Sequence, residues 1–251
     1  MIYCFDQGLI NDDGTLRSTI YDAEHFRNEG SNVTYIITEL ISTIDMERIY
    51  YHLKIKNEPI IWLYTGFTGN SVTPISYSLE DLARSFSNCD YTHMELDDCY
   101  RFSFYNDSYL DAYFSNGAKR FIKETFTYSK GHLTRKDYYS HGLIYSEFYR
   151  QKDNEDLLYL RRFYKTDRST GFDEINPNEN VKYVFEDTFV ESKKSLVEMM
   201  LKQIKFTSSD TIILDYDHKY LQEILLHKNG ANLMMTRSSS HADIFKDRFN
   251  M

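Results

Sequence analysis

The sequence predicts an α/β protein in which a Rossmann-like parallel sheet is interrupted by an inserted antiparallel β-meander. On both sides of the stretch from Tyr100 to Phe189, short apolar strands alternate with helical patterns. This alternation is typical of a parallel sheet with crossover helices. We therefore expect residues 1–97 and 190–251 to form one Rossmann-like domain and residues 98–189 to form the inserted β domain.

Inside that stretch, aromatic residues alternate with polar ones, and more than half of the chain's 22 Tyr and 17 Phe residues lie there. The runs are broken by Asn-Asp, Ser-Asn-Gly, Ser-Lys-Gly and Ser-His-Gly, which are turn signals. Period-two aromatic runs separated by such turns indicate consecutive antiparallel hairpins. The rings could stack against sugars or clamp an extended peptide, or they could form the core of a thin β domain.

The flanking segments supply the Rossmann-like elements in a regular order. Apolar residues recur at helical spacing in the helices, and Ser78 followed by acidic residues predicts a capped helix start. The predicted elements are strand Ile2–Phe5, helix Thr15–Glu29 with Gly30 as its stop, strand Val33–Thr38, helix Asp45–Ile55, strand Ile60–Tyr64, helix Leu79–Phe86, a helix after Ser192, strand Thr211–Leu214, helix Lys219–Lys228 and strand Ala231–Thr236.

Composition and charge exclude several classes of protein. The formal net charge of −9 disfavours a protein held on nucleic acid, because phosphate binding depends on cationic side chains. Three scattered cysteines without metal-ligand or redox spacing predict free thiols and no metal site. The first residues lack the basic and apolar regions of a signal peptide, and no window is apolar enough for a spanning helix. We therefore expect a cytoplasmic protein, and nothing indicates peripheral membrane contact.

The loop Asp6–Gly14 follows the first predicted strand and precedes a helix, which is where ligands bind in parallel α/β sheets. It contains Gly8, Asp13 and Gly14, which are our candidate donor or ligand residues. The loop lacks a G-x-G-x-x-G or Walker pattern, and its acidic residues would repel a phosphate. A ligand loop and an ordinary tight turn therefore both stay open.

Other polar residues follow later strands at the same predicted edge. Asp215 and Asp217 could bind a metal or act as acid and base, and an Asp-rich turn is the alternative. His241 follows the last strand and is the best-placed histidine for a catalytic role. His218 and His227 lie in or near a helix and are expected at the surface.

The sequence contains the blocks Asn57–Thr68, Ser76–Leu82, Ile36–Glu39, Leu133–Ser140, Ser146–Tyr149, Arg162–Tyr164 and Asp210–Asp215. Together these blocks resemble the amino-terminal half of the catalytic subunit in one bacterial family of peptide O-GlcNAc transferases. Enzymes of this family start the glycosylation of serine-rich repeat adhesins for the accessory Sec export pathway. Wall-teichoic-acid glucosyltransferases are related and carry a similar insert.

The resemblance implies a retaining GT-B glycosyltransferase with two Rossmann-like domains, of which this parallel sheet is one. The second domain holds most of the sugar donor, UDP-GlcNAc, and no other cofactor is implied. In this family the inserted β domain engages a Ser/Thr-rich acceptor polypeptide and a homologous glycosyltransferase subunit. We expect Tyr138, Tyr139 and Tyr149 to be exposed and to contact the acceptor or the partner subunit.

Two departures from the family pattern bear on activity. The chain ends at Met251 after about one Rossmann-like domain and the insert, so we expect it to be inactive alone, without groups that stabilise a departing nucleotide. The family places a histidine at the end of the strand that contains Leu233, whereas His241 lies several residues further on. A non-catalytic partner that stabilises or regulates a glycosyltransferase complex is the alternative function.

Overall fold

The computed structural model describes residues 1–7, 17–42, 60–71, 73–115 and 120–236. These residues form two compact units, one built on a parallel sheet and the other on an antiparallel sheet. The predicted α/β fold class with an antiparallel insertion is therefore confirmed. No helix within these ranges is long and apolar enough to cross a membrane.

Strands and helices follow one another in the predicted order, with small differences at their ends. They are β1 (Ile2–Asp6), α1 (Ser18–Asn28), β2 (Val33–Ile37), β3 (Ile60–Trp62), α2 (Leu79–Ser85), β4 (Tyr91–Glu95), β5 (Cys99–Phe104), β6 (Ser108–Phe114), β7 (Ile122–Ser129), β8 (His132–Tyr139), β9 (Leu143–Lys152), β10 (Glu155–Tyr164), β11 (Thr170–Ile175), β12 (Lys182–Phe185), β13 (Phe189–Val190), α3 (Lys193–Ile204), β14 (Thr211–Asp215), α4 (Leu221–His227) and β15 (Asn232–Thr236). The predicted helix Asp45–Ile55 lies outside the described residues.

The first unit is a five-stranded parallel sheet with the strand order β15-β14-β1-β2-β3. β1 lies at the centre, between β14 and β2, and its Cys4 and Phe5 are fully buried. Helix α1 packs on β1 and β14 and buries Ile20 and Ala23. Because all the strands are parallel, their carboxyl ends share one edge, and Asp6 lies there with the ends of β14 and β15.

The second unit is a ten-stranded antiparallel sheet in which β4 to β13 lie in sequence order. Each strand pairs with its sequence neighbours, which is the predicted meander. Three of its hairpins turn through two residues with positive φ, a geometry whose twist matches that of the flanking strands. These pairs are Asn106–Asp107, Lys130–Gly131 and Asp153–Asn154.

The division between the two units differs from the predicted domain boundaries. The sequence assigns residues 67–97 to the Rossmann-like domain, but the structure groups them with the antiparallel sheet. Helix α2 begins with the predicted cap, in which the Ser78 hydroxyl accepts a hydrogen bond from the Asp81 backbone N–H at 3.1 Å. Its Leu82 shares a buried core cluster with Phe102 of β5. The cap is a local signal, whereas the sheet that a helix packs on is decided by long-range contacts.

Candidate functional site

The carboxyl-terminal edge of the parallel sheet carries a buried carboxylate at the end of its central strand. Asp6 ends β1 and is only 2% exposed. The Thr19 hydroxyl of α1 donates a hydrogen bond to this carboxylate, and Arg17 Nε lies 3.3 Å from Asp6 Oδ1. Burial of an ionised carboxylate is costly unless it is paired. The start of α1 therefore supplies both the charge and the hydroxyl that hold Asp6 in place.

A second buried carboxylate lies on the neighbouring strand of the same edge. Asp215 ends β14, and the Thr236 hydroxyl at the end of β15 donates a hydrogen bond to its Oδ1 at 3.3 Å. Burial raises the pKa of Asp215, and the charges of Asp217 and Asp6 raise it further. A carboxyl with a raised pKa at a sheet edge is suited to proton transfer.

A buried histidine completes this edge, and sequence reasoning placed it wrongly. His218 is 4% exposed rather than a surface residue. Its Nδ1 accepts a hydrogen bond from the Tyr220 backbone N–H at 3.2 Å, so the neutral ring carries its proton on Nε2. Nε2 is buried and has no hydrogen-bond partner among the described residues. Burial lowers the pKa of His218, while the charges of Asp6 and Glu39 act in the opposite direction.

These groups favour a hydroxyl-bearing ligand over an anionic one. Carboxylates accept hydrogen bonds from hydroxyl groups and repel phosphates, and a neutral imidazole N–H donates to an oxygen. In the part of the chain that the structure describes, no cluster of three or more His, Cys, Asp or Glu residues could hold a metal ion. The chemistry of these buried groups therefore suits a polar neutral partner better than a phosphate or a metal ion.

Four of the predicted site residues cannot be compared with this geometry. Gly8, Asp13, Gly14 and His241 lie outside the described residues. Their proposed roles stay predictions. His218, which sequence reasoning assigned to the surface, lies three residues after Asp215 at the end of a buried strand, and this spacing is the sequence signal for its place at the edge.

The antiparallel sheet presents a row of alternating charge across its strands. Cross-strand pairing aligns residues of β5 to β11 on one face, because side chains alternate along each strand. Arg101 donates two hydrogen bonds to Asp111, at 2.6 and 2.7 Å. The row, in strand order, is Arg101, Asp111, Phe126, Lys136, Glu147, Arg161 and Glu174.

Glu147 of β9 is the centre of a polar cluster in this row. Its carboxylate accepts hydrogen bonds from Tyr138 Oη at 3.0 Å, Tyr149 Oη at 2.7 Å and Arg161 Nε at 2.8 Å. Arg161 also lies 3.5 Å from Glu174, so two carboxylates share one guanidinium. Burial raises the pKa of both Tyr149 and Tyr138, and the nearby Glu147 carboxylate raises both further. Both hydroxyls therefore remain hydrogen-bond donors at neutral pH.

The three predicted contact tyrosines do not share one face. Tyr138 and Tyr149 are half-buried on the face of the charge row, and Lys136 Nζ lies 5.5 Å from the Tyr149 ring centre. Tyr139 is 5% exposed and stacks on Tyr77, with ring centres 4.5 Å apart and an interplanar angle of 7°. The expectation that Tyr139 is exposed is wrong, because consecutive strand residues point to opposite faces.

A continuous stack of rings lies beside the charge row. Tyr138 packs on Tyr145 with ring centres 4.3 Å apart, and the stack continues through Phe163 to Phe172, whose ring centres are 4.6 Å apart. Tyr145, Phe163 and Phe172 are buried. Most of this stack is therefore core, and its partly exposed end is Tyr138, next to the Glu147 cluster.

Comparisons with known proteins give this geometry a context. Residues 93–187, which include most of the antiparallel sheet, match the family described as the GtfA extended beta-sheet domain. The UDP-N-acetylglucosamine–peptide N-acetylglucosaminyltransferase GtfA subunit of Streptococcus agalactiae is 32% identical over 226 residues, and that of Streptococcus parasanguinis is 30% identical over 224 residues. The chain is a homologue of the GtfA subunit.

The match to GtfA covers most of this chain but less than half of each curated relative. The match to the S. agalactiae GtfA spans 89% of this chain and 44% of that protein. The match to the S. parasanguinis GtfA spans 88% of this chain and 44% of that protein. The crystal structure of the pneumococcal O-GlcNAc transferase GtfA in complex with UDP and GlcNAc matches with a TM-score of 0.82 and 25% identity, over 93% of this chain and 47% of that chain. This coverage is consistent with the predicted correspondence to the amino-terminal half of GtfA.

Two further solved structures share the fold. A GtfA/B complex matches with a TM-score of 0.81 and 24% identity, over 93% of this chain and 47% of that chain. The structure of accessory secretory protein 1, 2 and 3 from Streptococcus pneumoniae matches with a TM-score of 0.73 and 9% identity, over 94% of this chain and 52% of that chain. The combination of a parallel sheet with an antiparallel insert is thus shared beyond close relatives of GtfA.

Proposed function

We propose that this chain supplies the acceptor-side part of a UDP-GlcNAc-dependent glycosyltransferase that modifies Ser/Thr-rich polypeptides in the cytoplasm. The observation that carries the proposal is the homology to the GtfA subunit over nearly the whole chain. The half-buried tyrosine cluster around Glu147 on the antiparallel sheet supports an acceptor role for that unit.

The acceptor polypeptide would bind to the face that carries Tyr138, Glu147 and Tyr149. Half-buried rings supply contact area at a low cost in conformational entropy, and their hydroxyls give hydrogen bonds. The protons of the two tyrosine hydroxyls are donated to Glu147, so serine and threonine side chains would donate hydrogen bonds to the tyrosine hydroxyl oxygens. A homologous glycosyltransferase subunit, as in the GtfA/B complex, is the partner that we propose for the same unit.

The edge of the parallel sheet would orient a hydroxyl group for transfer. The His218 Nε2–H is a donor without a partner among the described residues, and the Asp215 carboxyl has a raised pKa. Such a donor and a carboxyl can hold and deprotonate a hydroxyl. Gly8, Asp13 and Gly14 are proposed as the donor or ligand loop because of their position after the first strand, and His241 is proposed as a catalytic residue.

A non-catalytic partner role is the second candidate, and the acidity of the sheet edge favours it. Among the described residues near this edge, the carboxylates Asp6, Glu39, Asp215 and Asp217 outnumber the cations Arg17 and Lys219, which opposes binding of a nucleotide diphosphate. In that role the chain would stabilise a glycosyltransferase subunit and supply no reacting group of its own.

The acceptor role is tested by binding of a fluorescent Ser/Thr-rich peptide to the chain. Tyr149→Ala is expected to weaken binding about tenfold, because a partly buried tyrosine at a binding surface contributes about 1–2 kcal/mol. Tyr105→Ala is the matched control, since Tyr105 is 76% exposed at a hairpin turn. Equal losses in the two variants, or no binding by the wild type, would refute the acceptor assignment.

The two candidate roles are separated by UDP-GlcNAc transfer in the presence of a homologous subunit. Asp215→Asn and His218→Gln should each reduce the rate of transfer to the peptide if the sheet edge takes part in the reaction. If both variants support wild-type transfer while binding the subunit normally, the non-catalytic role is correct.

A further inference from the structure

The antiparallel unit contains a cavity of about 370 Å³ that no part of the proposed function uses. It lies between helix α2 and the sheet face opposite the Glu147 cluster. Its volume falls within the usual range for sites that bind small molecules. Apolar side chains form most of its lining, which includes Leu82, Phe86, Phe104, Leu110 and Leu143.

One part of the cavity lining is polar and rich in hydrogen-bond donors. Arg135 and Arg168 line the cavity together with Asp137 and Tyr77. Arg135 donates from Nε to Asp137 Oδ1 at 2.6 Å and from Nη2 to Ser146 Oγ at 3.1 Å. Neither of these two hydrogen bonds uses Nη1.

Asp137, the carboxylate in the cavity lining, already accepts hydrogen bonds from neighbouring side chains. Asp137 accepts hydrogen bonds from Arg135 and Ser146 on Oδ1 and from Thr125 Oγ1 on Oδ2 at 3.4 Å. Its charge is therefore balanced by Arg135. The solvent-exposed Arg168, which also interacts with Tyr77 and Asp81, adds a second guanidinium to the lining. The polar part of the cavity has donors and positive charge to offer, and few acceptors.

We propose that this cavity binds a small carboxylate with an apolar tail. A carboxylate accepts charge-assisted hydrogen bonds from a guanidinium, and two guanidiniums line this cavity. The tail would occupy the lining formed by Leu82, Phe86 and Leu110. A cationic ligand would meet the positive charges of Arg135 and Arg168, and a purely apolar ligand would forgo the charge-assisted hydrogen bonds that the guanidiniums offer.

The test measures binding of octanoate to the chain by isothermal titration calorimetry, with octanol and octylamine as probes of equal tail length. Octanoate is expected to bind at least tenfold more tightly than octanol, a difference of about 1.4 kcal/mol. Octylamine is expected not to bind. Equal affinity for octanoate and octanol, or no saturable binding of octanoate, would overturn the proposal.

Variants locate the binding site. Arg168→Gln should remove the preference for octanoate over octanol, whereas Arg150→Gln should not. Arg150 is an exposed arginine of the same sheet that does not line the cavity. Thr127→Leu places a larger side chain in the cavity wall and should abolish octanoate binding in a chain with a wild-type circular dichroism spectrum. Unchanged binding by a folded Thr127→Leu variant would show that octanoate binds elsewhere.

Discussion

Replacement of Glu147 by glutamine is expected to destabilise the antiparallel unit strongly. The carboxylate is buried and accepts hydrogen bonds from Tyr138, Tyr149 and Arg161. A hydrogen bond to a charged group contributes about 1.5–3 kcal/mol, and breaking a buried ion pair costs about 3–5 kcal/mol. Because glutamine keeps one acceptor oxygen and Arg161 keeps Glu174, we expect a loss of about 3 kcal/mol.

The loss can be measured by urea unfolding at pH 7, followed by circular dichroism. With a typical urea dependence of about 2 kcal/mol per molar, the midpoint should fall by about 1.5 M. Glu155→Gln is the matched control, because Glu155 is an exposed carboxylate at the start of β10. The reasoning would be refuted if Glu147→Gln lowered the free energy of unfolding by less than about 1 kcal/mol, or if Glu155→Gln lowered it by an equal amount.

The same pair of variants predicts a pH dependence. Burial opposes ionisation of Glu147, but hydrogen bonds from Tyr149 and Arg161 prevail and hold its pKa below the usual value. A carboxylate with a lowered folded-state pKa contributes stability above its unfolded pKa of about 4.3, and that contribution is lost as the pH falls through the folded-state pKa. Wild type and Glu155→Gln should lose this stability in acid, whereas Glu147→Gln should not.

Two further substitutions test the corrected positions of Tyr139 and His218. Tyr139→Ala should lower the free energy of unfolding by about 3–5 kcal/mol, because it removes a buried ring stacked on Tyr77, and urea titration measures the loss. If Tyr139→Ala instead folds with wild-type stability and loses only peptide binding, Tyr139 is exposed, as the sequence analysis expected. Because burial lowers the pKa of His218, wild type should lose stability below about pH 6.5, the unfolded value. His218→Gln should lose less over the same pH range in thermal unfolding, and identical pH profiles would contradict this.

The local features of the fold could be predicted from the sequence because their signals are local. The hairpin turns at Asn106–Asp107 and Lys130–Gly131 are primed turns, in which both central residues have positive φ. Asparagine, aspartate and glycine adopt positive φ readily, so they signal such turns in the sequence. The cap at Ser78 was predicted from three residues and is present with its reciprocal hydrogen bond. Each of these features depends on neighbours in the chain rather than on distant contacts.

Features that depend on register and long-range packing could not be predicted. The pairing of β8 with β9 shifts register between Tyr138 and Tyr139, so alternation counted along the sequence does not reveal which of the two tyrosines is buried. The burial of His218 depends on Phe5 of β1, whose ring centre lies 6.4 Å from the imidazole although the two residues are far apart in sequence. The packing of α2 on the antiparallel sheet likewise depends on contacts between residues that are far apart in sequence.

The pairing of charges within the antiparallel sheet limits what its tyrosine face can recognise. Arg101 is neutralised by Asp111, and Arg161 is shared by Glu147 and Glu174. A face whose charges are already paired offers rings and hydroxyls to a partner, with little net charge for electrostatic attraction. A Ser/Thr-rich polypeptide also presents hydroxyls and little charge. Complementarity between this face and an uncharged acceptor therefore rests on hydrogen bonds and ring contacts, which is why Glu147 and its two tyrosines are central to the proposed function.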